Sequence, residues 1–171
     1  MGPLRELLAV DSRKTLEFFV LGLQDVAEAP VDRQELLYNA SVLAHYAQVS
    51  TTSDADFPTP ASLETVFDTF VLPVDGAVDA TLLETAGTHC LLLGGFFEDQ
   101  MKRRHSIAWY ARLGAGFFHR AALAERQAHR ARVLEQMSRH FEPWRTRHAR
   151  LSRELRDTPF LLGLTTPSRV M

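Results

Sequence analysis

An all-α fold is predicted by three features of the sequence. Apolar residues recur three and four positions apart through almost every run, no segment alternates apolar and polar residues with period two, and helix-starting and helix-stopping residues stand at the ends of those runs. The expected architecture is a single domain over residues 1–171, a bundle of five to seven helices with one long central helix, and residues 165–171 frayed. No repeat of fixed length is present.

The first helix is expected over residues 12–28, with Asp11 or Ser12 as N-cap and Leu16, Phe19, Val20, Leu23 and Val26 on one stripe. Pro30 ends it. Asp32 with Glu35 resembles a capping box, and Leu36, Ala40, Leu43, Ala44 and Ala47 follow at helical spacing. Ser50 to Pro60 is rich in Ser, Thr, Asp and Pro and reads as a loop. Thr59-Pro60 reads as N-cap and first position of a short helix carrying Leu63, Val66, Phe67 and Phe70, broken by the stretch from Pro73 to Gly76. Asp79 then caps a helix with Leu82, Ala86, His89, Cys90, Leu93 and Phe97 on one face.

Ser106 caps the longest predicted helix, whose stripe runs Tyr110, Leu113, Phe117, Ala121, Ala124, Ala128, Ala131, Leu134, Met137 and Phe141. Its alanines favour helix and let a neighbour approach closely, so this helix is expected to be the spine of the bundle, with a dimer seam as the alternative use. Aspartate at Ala124 or Ala128 is accordingly expected to be costly. Pro143 kinks or restarts the chain, and Trp144, Leu151 and Leu155 continue an apolar face; Phe160, Leu161, Leu162 and Leu164 make the start of the tail apolar.

Composition bounds the setting. Hydrophobic residues make up 46% of the chain and charged residues 23%, which is ordinary for a folded domain. Cys90 is the single cysteine, so no disulfide forms within the chain, which fits a reducing, cytoplasmic location. The N-terminal residues lack the pattern of a signal peptide, and the most apolar stretch, Ala86 to Phe97, is too short to span a bilayer.

Leu91-Leu-Leu-Gly-Gly-Phe-Phe97, Arg103-Arg104, Trp109-Tyr110, Leu113-Gly114 and Phe118 together form a recognisable pattern. It resembles a group of bacterial helical proteins with a Gly-Phe-Phe segment, a basic pair, an aromatic pair, then glycine and a further aromatic. The resemblance spans roughly residues 80–125. It implies a bacterial origin and a helical fold; no activity is known for the group, and it transfers no functional residue.

No chemical motif stands out. The chain contains no Glu-x-x-His, and His89 and Cys90, being adjacent, diverge by about 100° on a helix and cannot share a metal. No metal ligand, cofactor or catalytic residue is expected. His89 reads as a core or boundary histidine and Cys90 as a small buried hydrophobe. Nucleophile-elbow and Walker patterns are absent, and Gly94-Gly95 and Gly114-x-Gly116 suit close helix packing better than a nucleotide loop.

The charge distribution is more informative. Residues 1–100 hold 16 acidic and 4 basic side chains, residues 101–171 hold 15 basic and 5 acidic, and five of the seven histidines lie in the second part. Such asymmetry suits an anionic partner, or two halves that neutralise each other. Arg112, His119, Arg126 and Arg130 share a face, while Arg103, Arg104, Arg145, Arg147, Arg150 and Arg153 are the candidate partner-binding residues, expected on the surface. Trp109, Tyr110 and Trp144 fall on the apolar stripe and are expected in the core, not as stacking platforms for bases. The leading expectation is a non-enzymatic helical adaptor or regulator that binds a protein partner, or itself, through this arginine-rich half. A nucleic-acid-associated protein using the same face is the alternative. An enzyme with an interhelical small-molecule pocket is the third.

Overall fold

The structure is a computed structural model that describes residues 12–52, 80–103 and 105–157. Among these residues the fold is all-α, with seven α-helices, one π turn and no strand. The helices are α1 (Ser12–Val26), α2 (Arg33–Thr52), α3 (Ala80–Leu91), α4 (Glu98–Met101), α5 (Ile107–Ala124), α6 (Ala128–Arg139) and α7 (Phe141–Asp157). The π turn, Leu92–Phe96, joins α3 to α4. The expected cap at Asp11 or Asp79, the helix after Thr59-Pro60 and the tail beyond residue 157 lie outside the described residues.

The chain divides into two compact units. One contains α1, α2 and α7 from Arg150 onward; the other contains the elements from α3 through Ala149.

In the first unit, α1 and α2 pack through the stripes their spacing predicts. Phe19, Leu23 and Val26 are buried on α1, and Leu36, Ala40, Leu43, Ala44 and Ala47 on α2. The Glu35 backbone N–H donates to Asp32 Oδ2 at 3.0 Å, which satisfies one of the orphan donors at the start of α2. This helix runs on to Thr52, into what its composition suggests is loop. A Cβ on Gly22 would stand 2.9 Å from Leu151 Cδ1, so the missing side chain is what admits α7 to α1.

The second unit is built around α3, the π turn and α5. Leu83, Ala86, Gly87 and Cys90 are buried on α3, and the run Leu91–Gly95 is buried at every residue. A segment covered all round is central to its unit. Leu82 is exposed, against expectation, and Leu83 takes the inward position. Phe118 of α5 lies over Gly87, whose Cβ would be 3.0 Å from the ring, and Phe118 meets Phe141 with ring centroids 6.0 Å apart.

Ser106 caps α5 as expected, accepting from the Trp109 backbone N–H at 3.2 Å. The long central helix does not form as one piece. Glu125 is extended (φ −77°, ψ 131°), Gln127 is the extended N-cap of α6, and the Gln127 N–H donates to Glu125 Oε2 at 3.2 Å. Between Ala121 and Leu134 the stripe offers only alanines, too little apolar surface to hold a straight helix against a neighbour. Breaking there lets α6 fold back on α5, where Ser138 Oγ donates to the Ala115 carbonyl at 2.8 Å. Ala124 and Ala128 are therefore exposed, and Ala121 alone of the four alanines is fully buried.

Two matched sets of variants test this packing by urea denaturation. Aspartate at Ala121 should destabilise the unit by several kcal/mol, about what an unpaired buried carboxylate costs, while Ala124→Asp and Ala128→Asp should stay near wild type. A Cβ at Gly114 would overlap the Phe141 ring and sit 2.9 Å from Cys90 Cβ, whereas one at Gly116 meets nothing within 4 Å. Gly114→Ala should cost about 1–3 kcal/mol through overpacking, and Gly116→Ala should add about 0.5–1 kcal/mol. Equal effects at the two glycines would contradict the packing described.

Candidate functional site

The arginines singled out in the sequence separate into two kinds. Arg145 is buried at 9% exposure rather than lying on the surface. Its Nε and Nη2 donate to the two carboxylate oxygens of Glu142 at 2.9 and 2.6 Å, a bidentate fork, and Nη1 donates to the Gly94 carbonyl in the π turn at 2.9 Å. Glu98 Oε2 is a further 3.5 Å away. Hydrogen bonding to Glu142 holds the guanidinium pKa above its ordinary value and, reciprocally, that of Glu142 below. Gly94 and Gly95 make this approach possible, since a Cβ on Gly95 would be 3.1 Å from the Arg145 carbonyl oxygen and from His148 Cβ.

Arg150 is engaged as well. Its Nη1 donates to the carbonyl of Val26, the last residue of α1, at 2.8 Å and lies 3.0 Å from Glu28, so it caps that helix end with a positive charge. The Arg147 guanidinium stacks over Trp144, 4.6 Å from the ring centroid, and Arg153 is half-buried. Arg103 is exposed between α4 and α5, and Arg104 lies outside the described residues. The residues of the last helix thus hold the fold together more than they face a partner.

Exposed positive charge without an ion pair among the described residues is concentrated instead on the hairpin of α5 and α6, with Arg103 just before it. Between Ile107 and Arg139 the chain has six arginines and two glutamates. Arg130 pairs with Glu84 and Glu125, and Arg139 with Glu135, which also binds His119 Nδ1 at 2.9 Å. That leaves Arg112, Arg120, Arg126 and Arg132, all exposed and none in an ion pair among the described residues. The shared face of Arg112, His119, Arg126 and Arg130 expected from spacing is therefore interrupted twice, by the turn at Glu125 and by internal pairing. Trp109, expected in the core, is 37% exposed on the same side of α5, whereas Tyr110 and Trp144 are fully buried.

The chemistry-bearing residues in the interior are arranged as core. Cys90 is fully buried, and desolvation pushes its thiol up to about 12, so at neutral pH it is uncharged and a poor nucleophile. The Tyr110 hydroxyl is buried with no hydrogen-bond partner among the described residues; its pKa is raised by burial and secondarily by Cys90. Burial lowers the pKa of His89 and brings that of fully buried His148 down to about 3. Among the described residues no three His, Cys, Asp or Glu side chains gather as a metal site would require, and no helix is long and apolar enough to cross a membrane. No family model, curated protein or solved structure matches the chain.

The two kinds of arginine predict opposite stability effects. Arg145→Leu strips the Gly94 carbonyl and two carboxylates of their partner and should cost about 2–4 kcal/mol; Arg112→Gln or Arg132→Gln should change stability by less than about 0.5 kcal/mol. Thermal and urea melts of the three variants check this. His148 gives a pH signature of known sign. The unfolded imidazole takes up a proton below about pH 6.5, while the folded one stays neutral down to about pH 3. Stability is therefore retained above pH 6.5 and falls as pH drops towards 3, by up to about 1.4 kcal/mol per pH unit from this group. Urea midpoints measured between pH 7 and 4 should show that slope, reduced in His148→Leu relative to its own value at pH 7.

Proposed function

We propose that the protein is a non-enzymatic helical adaptor or regulator that binds an acidic protein partner through the exterior of the α5–α6 hairpin. One observation carries this reading: Arg112, Arg120, Arg126 and Arg132 are exposed on one hairpin with no ion pair among the described residues, while Arg130, Arg139, Arg145, Arg147 and Arg150 are paired or stacked within the fold. Guanidinium groups are suited to bidentate contact with carboxylates, and unpaired ones raise the rate at which an oppositely charged surface is met. The single buried thiol suits a reducing compartment.

A nucleic-acid partner would use the same charges. Against it stands Leu123 among them, 74% exposed: an aliphatic residue gains little from a phosphate backbone but is useful in a protein interface. The test is binding of polyglutamate and of duplex DNA to the full chain and to a variant with Arg112, Arg120, Arg126 and Arg132 all changed to glutamine. Polyglutamate should bind the wild type, weaken at high salt, and weaken about ten-fold or more in the variant, with the melting temperature unchanged. Tighter binding to DNA, with log affinity falling steeply against log salt, would replace the acidic protein with nucleic acid. Equal binding by wild type and variant would remove the hairpin from the function.

A further inference from the structure

Gly116 stands apart from the other helical glycines. Gly22, Gly87, Gly94, Gly95 and Gly114 each have an atom of the fold within 3.1 Å of where a Cβ would sit, so each is explained by internal packing. Gly116 has nothing within 4 Å, lies in the middle of α5 and is exposed. Glycine there weakens the helix with no packing among the described residues to offset it.

Its neighbours on the helix surface give it a context. Trp109, Arg112, Gly116, Arg120 and Leu123 fall within an arc of about 80° and along about 21 Å of helix axis. All five are exposed. The bare backbone at Gly116 is thus flanked one turn either way by an arginine with no ion pair among the described residues, with an exposed tryptophan and an exposed leucine at the two ends. A second copy docking by this same face does not suit it, because it would bring arginine against arginine. Phosphates would use the arginines but neither the apolar ends nor the missing side chain.

We infer that this face of α5 seats a single acidic helix of a partner protein, packed closely across Gly116. The inference rests on the acidic-partner reading above and narrows it to one docking mode. Arg112 and Arg120 are about 12 Å apart along the axis, the separation of two carboxylates seven or eight residues apart on the partner helix. A small residue midway between those carboxylates lets the two backbones approach, as small residues at helix crossings do. Apolar residues beyond them cover Trp109 and Leu123. Helix-in-groove recognition reads side chains at such spacings.

The probe is a synthetic helical peptide of roughly 20 residues with glutamates eight positions apart, alanine midway and leucines outside them. A second peptide of identical composition carries its glutamates on the opposite face. Both are titrated against the full chain, Gly116→Gln and Arg112→Gln/Arg120→Gln, alongside polyglutamate. Glutamine at 116 fills the open space without adding charge or apolar surface, and unchanged melting verifies that the fold survives. The designed peptide is expected to bind wild type more tightly than the permuted one, and to lose about ten-fold or more with either variant. Polyglutamate should be insensitive to Gly116→Gln. If the designed peptide binds Gly116→Gln as well as wild type, or no better than the permuted peptide, the seat across Gly116 is wrong. Loss of polyglutamate binding in the arginine variant would then still uphold the wider reading. If neither peptide nor polyglutamate binds the wild type, both readings fall together.

Discussion

The second unit depends on one close approach, that of the first half of α7 to the π turn. Arg145 is the residue that makes it specific. Its guanidinium reaches the Gly94 carbonyl, a buried acceptor in an irregular stretch of backbone, and takes its counter-charge from Glu142 one turn earlier on its own helix. Two adjacent glycines clear the way, and His148 fills the space beside Gly95. Once that contact is made, Phe141 is held against Gly114 and Phe118, so α5 is located from both sides. A largely buried ion pair seldom adds net stability over apolar residues in place of both partners, but once built it is costly to break on one side and tolerates few alternative arrangements.

That arrangement separates structural from available charge. An arginine-rich segment can be consumed by the fold or presented to a partner, and composition is the same in either case. In α7 three of the five arginines are consumed: one caps the end of α1, one stacks on an indole, one is tied to the π turn. On the α5–α6 hairpin the carboxylates are too few to pair them all. Glu84, Glu125 and Glu135 account for Arg130 and Arg139, and four arginines remain.

The helices with strong apolar stripes were legible in the sequence because burial of one face dictates their spacing. All five stripe residues read on α2 are buried, and the side chains read as caps at Asp32 and Ser106 accept the backbone N–H groups expected of them. Two features were not. Continuity of spacing through Ala124 and Ala128 is compatible with a straight helix or with a break, since alanine favours helix wherever it stands and anchors little. The fate of Arg145 was equally hidden, because the π turn that receives it comes 51 residues earlier and leaves no periodic trace. The candidate site was half legible: the basic bias was visible, its division between α7 and the hairpin was not, and Gly116 looked like Gly114 until packing told them apart.

Cys90 gives the molecule a property of practical use. It is the only thiol in the chain, it is fully buried beneath α5, and its raised pKa keeps it protonated in the closed state. Both effects suppress its reaction with disulfide or maleimide reagents while α3 and α5 stay together. On opening, the thiol returns to water and to an ordinary pKa of about 8.5, and its intrinsic reactivity recovers. Labelling kinetics of the native chain therefore report the free energy of local opening of this unit, with no introduced probe and no signal from the other.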